Sequence, residues 1–158
     1  MQTSWKEWAP YALALIATLL FVDLFLDWHR ASVSVTGVVD IDAGVSAWSG
    51  WGAIAGLLLI ALLLWEWWRV VARRAVQRVS TELVSLMLAL GAAGFTAVEF
   101  FTGAAEVQSG TAVMVGVYGR QWPAYVGLVL AVLLALAAVV RLGRLEQHPS
   151  DRVSLGVR

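Results

Sequence analysis

Four long apolar runs, at residues 10–28, 51–68, 83–102 and 123–140, divide the chain, and its polar residues gather between them. Each run supplies about 18–20 residues, and at about 1.5 Å of rise per residue such a helix crosses a hydrocarbon layer of about 30 Å. A helix satisfies its own backbone hydrogen bonds, which an apolar solvent demands. A soluble bundle would need polar faces, and the fourth run has none. The expected fold is an all-α membrane protein, a bundle of four transmembrane helices forming one domain. Residues 29–50 and 103–122 are then outer connections, 69–82 an inner connection and 141–158 a tail.

The outer connections carry a different period. Ser32-Val33-Ser34-Val35-Thr36 alternates polar and β-branched residues, and Gly37 leads into Val38-Val39-Asp40-Ile41-Asp42. Residues 111–118 in the second connection are similar. Period-two patterns bounded by glycine predict short strands, and a lone hairpin is marginal in water, so the connections are expected to pair into one small sheet. Irregular valine-rich loops are the alternative.

All nine tryptophans flank the runs. An indole joins an apolar body to one N–H donor and favours the headgroup boundary. Trp8, Trp28, Trp51, Trp65, Trp68 and Trp122 are therefore expected to be interfacial anchors. Composition agrees: 60% of residues are hydrophobic and only 14% charged, too few to cover a water-soluble surface. The absence of cysteine excludes disulfides, thiolate metal sites and cysteine nucleophiles. Of the 11 lysines and arginines, only Arg30 and Arg120 fall in the outer connections, leaving nine elsewhere. That asymmetry predicts both termini in the cytoplasm, with a bacterial inner membrane as the expected location. The first run lacks a small-x-small cleavage site and contains Asp23, which argues against a signal peptide.

The second and fourth runs share a pattern. Trp51, Ala53, Gly56, Leu57, Leu59, Leu62 and Leu63 match Trp122, Ala124, Gly127, Leu128, Leu130, Leu133 and Leu134. Upstream, Asp27-Trp28 and Glu99-Phe100 stand 24 and 23 residues before those tryptophans. A duplicated helical hairpin is the expected origin, with chance likeness of leucine-rich helices as the alternative.

Asp23 and Asp27, four residues apart, are expected on one face of the first helix, with Glu99 of the third at similar depth. Buried carboxylates there should face the bundle interior and find a donor, Arg120 or Arg30 being the expected counter-charges and His29 a further cation. The cluster reads either as an ion or proton site or as a polar lock on helix register. Glu66, among tryptophans, is expected to pair with Arg69, Arg73 or a base of the tail. Small residues (Gly52, Gly56, Ala93, Gly127 and Ala131 among them) read as seams where helix backbones approach closely.

Enzyme signatures are missing: no phosphate-binding glycine loop, no Gly-x-Ser-x-Gly and no His-Glu-x-x-His. His29 and His148 are isolated in sequence, so neither makes a metal site with its neighbours, and no cofactor is expected.

Phe25-Leu26-Asp27-Trp28, a short Gly/Val-rich connection and Ser49-Gly50-Trp51 form a layout. It resembles the small four-helix membrane proteins of unknown function abundant in high-GC Gram-positive bacteria. Those proteins often carry proline where Asp27 stands. The layout is also similar in shape to claudin-like tetraspan proteins, without their paired loop cysteines. Together these features imply a non-catalytic scaffold or accessory subunit that binds a partner through its outer connections and small-residue helix faces. Its expected partners are the bilayer and a membrane protein or second copy, and no nucleic acid. The alternative is a small oligomeric transporter or channel with an acidic outer vestibule.

Overall fold

The computed structural model describes residues 4–35, 39–48, 50–72, 78–103, 109–110 and 113–146. Within them the chain runs helix–strand–strand–helix twice: α1 (Ser4–Asp23), β1 (Asp27–Val35), β2 (Val39–Ser46), α2 (Trp51–Ala72), α3 (Arg78–Thr102), β3 (Ser109–Gly110), β4 (Val113–Arg120) and α4 (Trp122–Glu146). Helix α3 packs against α2 and α4, and α1 closes the bundle against α4 and, more lightly, α2. Trp51–Arg69, Thr81–Thr102 and Trp122–Gly143 are long and apolar enough to cross a membrane. The apolar stretch of α1, Tyr11–Asp23, is shorter. Leucines and alanines fill the interior, including Leu13, Leu20, Leu59, Leu62, Ala89 and Leu134. Many large apolar side chains point outward instead, such as Leu15, Leu57, Met87 and Leu136.

The two connections do pair. The sheet has the order β2-β1-β4-β3, antiparallel throughout, with three strands of eight or nine residues and the two-residue β3 at one edge. It is more extensive than the short loop strands that the sequence suggests. Thr36, Gly37, Val38, Thr111 and Ala112 of the expected strands lie outside the described residues.

The first boundary departs from expectation. The apolar run continues to Trp28, yet α1 ends at Asp23. Leu24 N–H still donates to the Leu20 carbonyl at 3.1 Å, but Phe25 and Leu26 donate to Val22 and Asp23, three residues back. Such tightening closes a helix. Pairing of Asp27 with Ser46 then starts β1. Asp27 and Trp28 therefore belong to a strand, and Asp23 and Asp27 do not share a helix face. Hydropathy could not mark this boundary, because the turn residues Leu24, Phe25 and Leu26 are as apolar as the helix before them.

Two bulges orient the start of the sheet. On β1 the register shifts between Asp27 and His29, and against β4 it shifts between His29 and Arg30. The second leaves Gly119 unpaired at φ 69°, a left-handed conformation that glycine adopts without a Cβ clash. Adjacent strand residues normally alternate faces, yet Trp28 and His29 are both buried.

Candidate functional site

Two buried polar groups occupy opposite ends of the bundle. At the sheet end, Trp28 Nε1 donates to the Asp23 carboxylate and to the Asp23 carbonyl, both at 3.1 Å. The indole lies over Gly127 of α4, where any Cβ would run into the ring and into the Asp23 carboxylate. Trp28 is thus fully buried, not an interfacial anchor.

Glu99, on the last turns of α3, joins three elements. Its Oε2 accepts the backbone N–H of Gly52 at 3.2 Å, and its Oε1 lies 3.7 Å from His29 Nε2 on β1. Gly52 is the second residue of α2, where backbone N–H groups have no helical partner and the helix dipole favours negative charge. The matching residue of α4 is Pro123, which has no N–H, so this contact has no counterpart in the second half. Asp27, the sequence counterpart of Glu99, is exposed in β1, and a Cβ on Gly44 of β2 would strike its carboxylate.

The expected counter-charges are not where the acids are. Arg120 donates from Nε to the Phe100 carbonyl at 2.8 Å and places its guanidinium 4.6 Å from the Phe100 ring centroid. A cation there satisfies the open carbonyls and the negative dipole end of α3. Arg30 is exposed, and among the described residues no ion pair joins it to an acid. Asp23 and Glu99 are both buried at this end, but each has its own partner, Trp28 for one and His29 with Gly52 for the other.

The glycines expected to form helix seams hold other groups. Gly56 lies beneath the Trp48 ring, and Gly52 against the Ala47 carbonyl. In the two halves, Gly56 and Gly127 play one role: each leaves room for an indole from the sheet side. Ala131 is buried in the core and Ala93 packs against it, as helix-packing residues should. Trp51 stacks on Phe95 at 5.9 Å, while Trp122 is exposed. Of the other expected anchors, Trp68 is exposed and stacks on Trp65, whose Nε1 donates to the Thr81 carbonyl at 3.3 Å. Trp8 lies in α1, with its side chain outside the described set.

At the opposite end, two glutamates and two arginines form a quartet across three helices. Arg69 of α2 pairs with Glu66 at 3.1 Å and also with Glu82 of α3. Arg141 of α4 pairs with Glu66 at 3.1 Å and with Glu82 at 2.7 Å. Ser85 Oγ donates to Glu66 at 2.6 Å. The expected partners of Glu66 included Arg69 and a tail base, and α4 runs far enough to carry Arg141 into that role; Arg73 lies outside the described residues. Sequence reasoning missed Glu82. Its signal was an acid one residue before the third apolar run, at the depth of Glu66.

Glu82 and Glu99 are seventeen residues apart on α3, about 25 Å of helical rise. Between the two polar groups the buried described residues are almost all leucine and alanine. Thr96 is the exception, and its hydroxyl donates to the Ala92 carbonyl of its own helix at 2.8 Å. No group of three or more metal-ligating side chains occurs among the described residues. No protein-family model, no curated protein and no solved structure matches the chain.

Proposed function

We propose that the chain is a non-catalytic membrane scaffold or accessory subunit. It crosses a bacterial inner membrane four times, with both termini and the α2–α3 connection in the cytoplasm and the sheet outside. Its sheet binds a membrane-protein partner or a second copy. The observation that carries this reading is the apolar interior between the end groups. An ion or polar solute needs a path of polar groups or water, and leucine and alanine supply neither. The separation of about 25 Å between Glu82 and Glu99 also fits a hydrocarbon core of about 30 Å, with each polar group near one boundary. The small-residue part of the expected binding surface is reduced, because Gly52, Gly56 and Gly127 are occupied within the chain.

A second reading, a small oligomeric transporter, draws support from the buried carboxylates of Asp23 and Glu99 at the sheet end. One pair of measurements separates the two. Purification in mild detergent, with mass determination of the particle, should yield a complex larger than one chain. Liposomes reconstituted with that particle should show no proton or cation flux above empty vesicles. Flux abolished by Asp23→Asn in a folded protein would replace the scaffold reading with the transporter.

A further inference from the structure

We propose that Arg78 and Arg144 form a binding site for the phosphate of an anionic phospholipid, at the groove between α3 and α4 on the end that carries the quartet. The proposal rests on the membrane orientation given above and names a lipid partner for that end. Glu82 of α3 and Arg141 of α4 meet across this groove at 2.7 Å. One turn further out stand two arginines, Arg78 four residues before Glu82 and Arg144 three residues after Arg141. Residues three or four apart share a helix face, so both arginine positions flank the same groove at one level. Two like charges so placed repel each other unless an anion lies between them.

On α2, α3 and α4 no acid is left to fill that place. Glu66 and Glu82 are engaged by Arg69 and Arg141, and the sequence between the two glutamates contains no other acid. Glu146 is two residues beyond Arg144, and residues two apart do not share a helix face. Arg73 and Arg74, which follow α2 directly in sequence, add to the positive surplus. Depth selects a lipid as the source of the anion. Glu82 lies about 25 Å of helical rise from Glu99, so the quartet marks one hydrocarbon boundary. A further turn of about 5 Å reaches the headgroup layer, which is about 5–7 Å thick on each side. Trp67 and Trp68, exposed at the same end of α2, favour that layer. A guanidinium meets a phosphate through two parallel N–H donors. A zwitterionic headgroup brings its own cation to the phosphate, whereas an anionic one leaves that charge to the arginines.

The test uses the full chain in a mild neutral detergent. Added dioleoyl phosphatidylglycerol should raise the thermal unfolding midpoint saturably, and phosphatidylcholine with the same acyl chains should not. Arg78→Gln combined with Arg144→Gln should weaken the phosphatidylglycerol response roughly tenfold or more. Arg152→Gln combined with Arg158→Gln removes the same charge from the tail and should change the response less than about twofold. Glycerol 3-phosphate should give no shift, and a shift equal to that of the lipid would assign the site to a free phosphate instead. If the Arg78 and Arg144 variant fails to fold, native mass spectrometry of the parent in an equimolar mixture of the two lipids decides, with selective retention of phosphatidylglycerol expected. Equal retention of both lipids, or equal losses in the two double variants, would overturn the proposal. Particle mass and ion flux, which test the scaffold reading, are measured separately, so either proposal can fail while the other stands.

Discussion

Trp28 and Asp23 hold the turn between α1 and the sheet: the indole N–H meets both the carboxylate and the carbonyl of Asp23 at 3.1 Å. The acid is the last residue of the helix and the tryptophan the second residue of the strand, so one side-chain contact sets the angle at which the sheet leaves the bundle. Because the ring also covers Gly127, the same contact ties α1 and β1 to α4.

Replacing either partner should expose that dependence. Asp23→Asn keeps an oxygen acceptor for the indole and should lower stability by less than about 1 kcal/mol. Trp28→Phe leaves the buried Asp23 carboxylate without its donor and should cost about 1–3 kcal/mol, whereas Asp23→Leu removes the bond to the carboxylate but keeps the indole N–H on the residue-23 carbonyl and should cost about 1–2 kcal/mol. Thermal unfolding in detergent checks the order. Equal losses for Asn and Leu at position 23 would mean that the hydrogen bond contributes nothing.

Gly127→Ala should destabilise more than Val129→Ala, although the first adds only one methyl group. The new Cβ collides with the Trp28 ring and the Asp23 carboxylate, and overpacking of this kind costs about 1–3 kcal/mol. Val129 is exposed on the outside of the bundle, so shortening it should change stability by less than about 0.5 kcal/mol. Comparing unfolding midpoints of the two variants decides the matter.

The quartet should behave as a unit. Arg141→Gln leaves Glu66 and Glu82 with only Arg69 between them and should cost about 2–3 kcal/mol, less than a fully buried pair because both arginines remain partly exposed. The double change Arg141→Leu, Glu82→Leu removes one charge of each sign and keeps the Glu66–Arg69 pair, so it should recover part of that loss. Unfolding of both proteins in the same detergent measures it.

Orientation can be read in whole cells. A cysteine placed at Ser34, on β1, should react with an impermeant thiol reagent, and one at Gln77, between α2 and α3, should not. The opposite pattern would reverse the topology inferred from the distribution of basic residues.

The sequence by itself determined the helices and the strands, because both depend on local periodicity. The runs 51–68, 83–102 and 123–140 are long and predominantly apolar, as helices of this length are, and Ser32-Val33-Ser34-Val35 alternates as a half-covered strand does. The tryptophan pattern located the ends of the runs, and Trp51 and Trp122 do begin α2 and α4.

Only the tertiary structure decided where the first helix stops, which groups neutralise the acids and what the glycines accommodate. Each answer depends on residues far apart in the chain: Gly52 with Glu99, Arg120 with the end of α3, Trp28 with Gly127, Arg141 with Glu66. Periodicity reports which face of an element is apolar, but it carries no record of which side chain across the bundle fills the space left by a missing Cβ. His29 shows this most plainly: isolated in sequence, it is brought to within 3.7 Å of Glu99 by strand pairing and two bulges.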